Sequence, residues 1–221
     1  LIFTLVRAII KSQSVKGKLT EPNYAYVRVA QFQEHTGEDL AKLLKNLRQQ
    51  NKAPFKGILL DLRNNPGGLL QTAVEVSDVF INDGLIVYTE GRLSQSEQRY
   101  NASTPDQTEG VPLIVLVNEG TASASEIVAG ALQDHKRAVI MGMSTFGKGS
   151  VQTVLPLSSE IAIKLTTALY FTPNGRSIQA EGIQPDVELT AVEVIENDDQ
   201  TERSCTLFSS HWNIIVFIKF R

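Results

Sequence analysis

The stretch Gly57-Ile58-Leu59-Leu60-Asp61-Leu62-Arg63-Asn64-Asn65-Pro66-Gly67-Gly68 decides the fold. Its first seven residues form a short, largely apolar run, of the kind that makes a strand buried on both faces. The next five make a turn that only permissive backbone can follow. A helical pattern comes after it, through Leu70, Ala73, Val74 and Ile81. The same unit recurs downstream. Pro112 to Val117 reads as strand, Asn118-Glu119-Gly120 as turn, and Ala124, Ile127, Val128, Ala131 and Leu132 as the apolar stripe of a helix.

The flanking sequence extends this pattern in both directions. Tyr24 to Val29 alternates as a strand, and Thr36 is placed to cap a helix carrying Leu40, Leu43, Leu44 and Leu47. Ala138 to Met141 reads as another buried strand, and Ile161, Ile163, Leu165, Thr167 and Leu169 alternate over a long run beyond it. The polar segment 12–22, with Gly17 and Pro22, reads as a linker, and 85–109 as a hairpin with an exposed loop. Repeated βα units with a β-rich end make an α/β domain.

The chain has 221 residues, 42% of them hydrophobic and 20% charged, enough for one good-sized core. A net charge of −3 gives no basic footprint for nucleic acid. The single cysteine, Cys205, excludes an internal disulfide. His35, His135 and His211 stand far apart in sequence, which argues against zinc.

The two glycine turns carry the chemistry. Each ends a strand and begins a helix, at the sheet edge where α/β proteins bind ligands, and each offers backbone N–H groups to negative charge. Ser123, in Gly120-Thr-Ala-Ser-Ala-Ser-Glu126, is a candidate nucleophile. His135 is a poor base for it, because it lies about 18 Å along the same helix. Lys148, between Gly147 and Gly149, is the better candidate. As a base it must lose its proton near neutral pH, far below the usual lysine range near 10.4. Burial without a carboxylate partner can supply the roughly 4 kcal/mol required, and no Asp or Glu lies between Ile140 and Pro156. Bland readings also exist: Ser123 and Glu126 fit a capping box, and Lys148 fits an exposed turn. The run Gly142 to Lys148 nearly spells a phosphate-binding loop, but Gly149 stands where that motif needs Ser or Thr.

The ordered runs Leu59 to Gly68, Gly120 to Ile127, Thr145 to Gln152, Tyr170 to Ile178 and Gly182 to Asp186 resemble the C-terminal processing peptidases, also called tail-specific proteases. The similarity covers roughly Tyr24 to Val194. It implies a crotonase/ClpP-like core of ββα repeats with a β-rich C-terminal part, and a serine endopeptidase that acts on unstructured C-terminal protein tails. The family's serine and lysine stand 25 residues apart, which selects Ser123 over Ser125 as partner of Lys148. The family's glutamine, four residues after the lysine, falls on Gln152. Its oxyanion hole resembles one built from the N–H of Ala124 and of Gly67 or Gly68, with Gly68 favoured.

The resemblance also implies a periplasmic or periplasm-facing setting, with a PDZ domain ahead of the core that captures the substrate tail. Residues 1–15 are expected to be the last strand of such a domain, residues 16–200 the peptidase core, and 201–221 an atypical tail that is a candidate for disorder. Two alternatives stand beside this reading. One is a non-catalytic module that holds peptide tails without cutting them. The other is an acyl-CoA enzyme of the crotonase type, disfavoured because a Ser-Lys-Gln set has no role there.

Overall fold

The computed structural model describes residues 13–51, 53–92 and 96–189, and the backbone of two short strands further on. Of residues 1–15, expected to be the last strand of a preceding domain, 1–12 lie outside the described residues, while Val15 opens the first strand of the large sheet. In chain order the elements are β1 (Val15–Glu21), β2 (Tyr24–Val29), α1 (Thr36–Asn51), β3 (Gly57–Asp61), α2 (Leu70–Asp78), β4 (Leu85–Gly91), β5 (Gln98–Asn101), β6 (Leu113–Val117), α3 (Ala124–Asp134), β7 (Ala138–Gly142), β8 (Ser150–Pro156), β9 (Ala162–Phe171) and β10 (Val187–Glu188). The last two, β11 (Ser204–Leu207) and β12 (Val216–Lys219), pair antiparallel inside the atypical tail.

Two sheets carry the domain. The larger runs β1-β2-β3-β6-β7-β10. Its neighbours are parallel from β2 through β10, and β1 alone is antiparallel to β2. The smaller runs β5-β4-β9-β8 and is antiparallel throughout. The strands β2, β3, β6 and β7 follow one another across the large sheet in a single direction. Right-handed crossovers then put α1, α2 and α3 all on one face. Leu40, Leu44 and Leu47 of α1, Ala73 and Val76 of α2, and Ile127, Val128 and Leu132 of α3 close over Val27, Leu60, Val115 and Ile140 in one core. Each large side chain buried there contributes about 1.5–3 kcal/mol of transfer free energy.

This single winding corrects one expectation. The apolar runs of β3, β6 and β7 suggested strands buried on both faces, yet Ile114 is 36% exposed and Val139 44%. Tyr26, Leu59, Ile114 and Val139 stand in register across four strands on the face that carries no helix. An apolar run cannot distinguish a sheet covered twice from one covered once, because both give the same residues.

The polar segment expected to be a linker contains β1. Val15 is buried, and the Gly17 backbone comes so close to Tyr26 that a Cβ there would lie 2.8 Å from the Tyr26 carbonyl. Its polarity is that of an edge strand with one wet side. The hairpin expected within 85–109 is β4–β5. The alternation in β9 is real, but its apolar side is not core. Leu155, Leu157, Ile161, Ile163 and Leu165 line one side of the β8–β9 hairpin and are exposed, while Ala168 and Tyr170 are buried nearer its root.

Candidate active site

Ser123 sits where β6 has ended and α3 begins, with φ 58° and ψ −115°. A non-glycine residue in such backbone is strained and persists only where its surroundings over-determine it. Those surroundings are explicit. Thr121 donates its hydroxyl to Leu62 O (2.9 Å), and Ala122 N–H donates to Asn65 O (3.0 Å). Ser125, wholly buried, donates its hydroxyl to the same Asn65 oxygen at 2.9 Å. Ser123 itself is only half-buried. The two serines of the motif therefore differ in kind: one is a buried strut and one faces the site.

The turn after β3 is pressed against this one. A Cβ on Gly67 would lie 2.7 Å from Ala122 O, 2.9 Å from Ala124 N and 2.9 Å from the Ser123 Cβ, so only glycine lets the turns meet. Gly68 follows Phe32 as closely, and Leu69 N–H donates to Phe32 O at 3.0 Å. Asn65 is buried and spans the junction, donating Nδ2 to Val29 O and accepting the Gly67 N–H at 2.9 Å. That bond occupies the Gly67 donor. The N–H groups of Gly68 and Ala124 have no hydrogen-bond partner among the described residues.

The lysine arrives on the loop between β7 and β8. Its flanking glycines are required by the segment 178–182: a Cβ on Gly147 would lie 3.1 Å from Ala180 C, and one on Gly149 would lie 2.4 Å from Gln179 N. The ends of the Tyr170 to Ile178 and Gly182 to Asp186 runs, with residues 179–181 between them, form the wall opposing Gly-Lys-Gly. Four consecutive residues of the loop then hook onto the start of α3. Phe146 N–H donates to Thr121 O (3.0 Å). Thr145 Oγ1 (2.5 Å), Gly147 N–H (2.7 Å) and Lys148 N–H (2.9 Å) all donate to the Glu126 carboxylate. Ser123 N–H donates to the same carboxylate at 2.7 Å.

Glu126 has a role at the site that its local sequence does not reveal. A capping-box glutamate was expected to reach back to the N-cap N–H, and it does. The contacts with residues 145–148 come from a loop about twenty positions away and left no local signal. The carboxylate meets the backbone N–H of Lys148, and no ion pair joins the Lys148 amine to an acidic side chain among the described residues.

The Lys148 and Gln152 side chains are both exposed. Among the described residues no hydrogen bond joins the Ser123 hydroxyl to the Lys148 amine. The expected burial of Lys148 is thus not supplied by these residues. The physical reason is its position at the root of the β8–β9 hairpin, whose outer half stands clear of the body. Phe146, 68% exposed, and Leu69, 52% exposed, flank the two turns as bare apolar surface. His135 lies elsewhere: its Nε2 is 2.7 Å from Leu85 O, a structural contact.

Asp61, at the end of β3, anchors the approach to the glycine turn. It is wholly buried and accepts from Tyr26 OH (2.7 Å), Arg28 Nη1 (3.0 Å), and Arg63 Nε (2.9 Å) and N–H (3.0 Å). Burial pushes its carboxyl up, but hydrogen bonds from Arg63 and Tyr26 and the Arg63 charge outweigh this and hold it below the usual carboxylate range. A depressed value stabilises the fold above the unfolded pKa of about 3.9, and that stability is lost as pH falls through the folded value. Asp61→Asn is expected to cost about 2–3 kcal/mol at pH 7, since two half-exposed arginines lose their buried partner. The gap between variant and wild type should shrink below about pH 4. Urea denaturation at pH 7 and pH 3 measures both, and an equal gap at the two values would contradict the assignment.

A serine held at positive φ above a parallel sheet, beside unpartnered backbone amides, is an arrangement suited to a serine peptidase. The family follows from the sequence: the model of peptidase family S41 matches residues 23–189, and the chain belongs to that family. It is 53% identical over 186 residues to a carboxy-terminal-processing protease of Bartonella bacilliformis, a match covering 83% of this chain and 42% of that protein. A carboxyl-terminal-processing protease of Synechocystis is 41% identical over 188 residues, covering 83% of this chain and 43% of the relative. Among solved structures, the photosystem II D1 C-terminal processing protease superposes with a TM-score of 0.72 at 36% identity, covering 81% of this chain and 49% of that one. The tricorn protease, at 20% identity and a TM-score of 0.52, shares the fold. The chain spans less than half the length of these curated relatives.

Proposed function

We propose that this chain carries the catalytic centre of a serine endopeptidase that cleaves proteins near unstructured C-terminal tails, with Ser123 as nucleophile and Lys148 as base. The observation that carries the reading is the contact between the two glycine turns. It sets the strained Ser123 beside the free N–H groups of Gly68 and Ala124. In the reaction, Ser123 Oγ attacks the peptide carbonyl carbon as Lys148 Nζ takes its proton. The carbonyl oxygen, now negative, sits between the Ala124 and Gly68 amides. Gly67 is the weaker candidate donor, because Asn65 already holds its N–H. Lys148 then protonates the leaving amine, and water releases the acyl-enzyme. Gln152, at the start of the hairpin, orients the amine.

Lys148 must be neutral for this chemistry, and a substrate lying over Phe146 and the hairpin root would remove water from it. A PDZ domain preceding the core in the whole protein would deliver the tail as an added strand. The setting in this reading is the bacterial periplasm or the membrane facing it. The βα units, with a hairpin inserted before β6, correspond in this reading to the ββα repeats of a crotonase/ClpP-like core. No cofactor enters the mechanism.

Labelling with a fluorophosphonate, followed by mapping of the modified peptide, tests the nucleophile. We expect the adduct on Ser123, which is partly exposed, and none on Ser125, whose hydroxyl is buried on Asn65. An adduct on Ser125 would overturn the assignment.

A further inference from the structure

We infer that Glu126 is a positioning residue for the reaction, a single carboxylate that sets the nucleophile and the base in register with each other. This rests on the peptidase reading above. The geometry is unusual in what it joins. One oxygen, Oε2, accepts from Ser123 N–H at 2.7 Å and from Lys148 N–H at 2.9 Å, so the backbones of the two reacting residues share one acceptor atom. The other, Oε1, accepts from Thr145 Oγ1 at 2.5 Å and Gly147 N–H at 2.7 Å. Thr145 Oγ1 in turn accepts from Ile183 N–H at 2.7 Å, tying the loop to the wall behind it. The Glu126 side chain has no exposure, and no Lys or Arg side chain pairs with it among the described residues. All four neighbours donate and the carboxylate only accepts. Its environment is therefore built from the two loops it connects.

Two consequences follow for the chemistry. The Ser123 N–H is taken, so the nucleophile's own amide is not an oxyanion donor, and the duty falls to its neighbour Ala124. Second, the Lys148 backbone is fixed relative to Ser123 even though its side chain is exposed. Only the flexible side chain has to move for the amine to meet the hydroxyl. Glutamine at this position cannot reproduce the clamp. One end of its amide is a donor, and whichever way it turns, that end faces two donors.

The test compares the wild type, Ser123→Ala, Glu126→Gln and Thr145→Val for cleavage of an unfolded protein substrate, for folding by circular dichroism, and for amide hydrogen exchange. A misplacement of about 1 Å in a reacting group costs on the order of 100-fold in rate. Glu126→Gln is expected to lose roughly that much in kcat, with KM within about twofold, because the carboxylate touches no substrate. Exchange should quicken at residues 145–148 and at Ser123, and stay unchanged in the core of the sheet. A folded Glu126→Gln that cleaves at the wild-type rate, or whose 145–148 amides stay protected, overturns the inference. If Glu126→Gln does not fold, Thr145→Val decides. It keeps the shape and removes the donor to Glu126 together with the acceptor of the Ile183 N–H, and we expect a kcat loss on the order of tenfold at constant KM. An unchanged kcat in folded Thr145→Val overturns the inference. The function reading fails separately, by equal cleavage from wild type and Ser123→Ala. In that event the exchange arm still decides the clamp, by whether 145–148 are released.

Discussion

Lys148→Ala is expected to lower cleavage by roughly 10²–10⁴-fold while leaving the fold intact, because a positioned general base contributes about that much and a serine hydroxyl is a poor nucleophile without one. The side chain is exposed. Its removal should therefore change stability by no more than about 0.5 kcal/mol. The Lys148 N–H bond to Glu126 is backbone and survives the change. Lys148→Arg sharpens the test. Arginine keeps the charge and the reach but holds its proton, so it should be as inactive as alanine. Steady-state rates on an unfolded substrate, with thermal melts alongside, measure both. An arginine variant as active as wild type would mean that Lys148 contributes charge and not proton transfer.

Gly67→Ala should be nearly as damaging, although it removes no functional group. Its φ of +100° disfavours any side chain, and the added methyl would meet Ala122 O, Ala124 N and the Ser123 Cβ at 2.7, 2.9 and 2.9 Å. Relief requires the two turns to part, which moves Ser123 away from Gly68 and separates the oxyanion donors. A loss of about 100-fold in kcat is expected from the displacement, with about 1–3 kcal/mol of stability lost to overpacking and strain. Most of the rate loss should appear in kcat, since the turns do not form the apolar flank made by Phe146 and Leu69. A Gly67→Ala chain with wild-type kcat would show that the contact between the turns is not needed for catalysis.

What the sequence made legible was the local backbone chemistry. Both glycine turns, the strands before them and the helices after them follow from residues adjacent in the chain, and Ser123, Gly67, Gly68 and Ala124 are found together at their meeting point. The tight packing around Lys148 was also readable, since glycine on either side of a lysine implies close backbone, and the segment 178–182 supplies it. Three things were not legible, each because it depends on residues far apart. The covering of the sheet on one face depends on strand order, and an apolar run such as Leu113 to Val117 does not encode its neighbours. The exposed side of the β8–β9 hairpin has the alternation of a core strand, and only the absence of a packing partner in the described fold distinguishes it. Glu126 looked like an ordinary helix cap, because its contacts to residues 145–148 exist only once β7 and α3 are side by side.

Lys148 carries the clearest lesson. A base neutralised by burial was expected, and the structure gives it a fixed backbone and an exposed amine. Position is thus built into this part of the chain, whereas desolvation has to come from whatever covers the site.

The central claim is that this chain cuts polypeptide with Ser123. The most direct measurement is mass spectrometry of a disordered protein incubated in parallel with the wild-type chain and with Ser123→Ala. We predict new termini with the wild type and none with the variant. Equal cleavage by both would contradict the assignment of Ser123 and, with it, the account of the site.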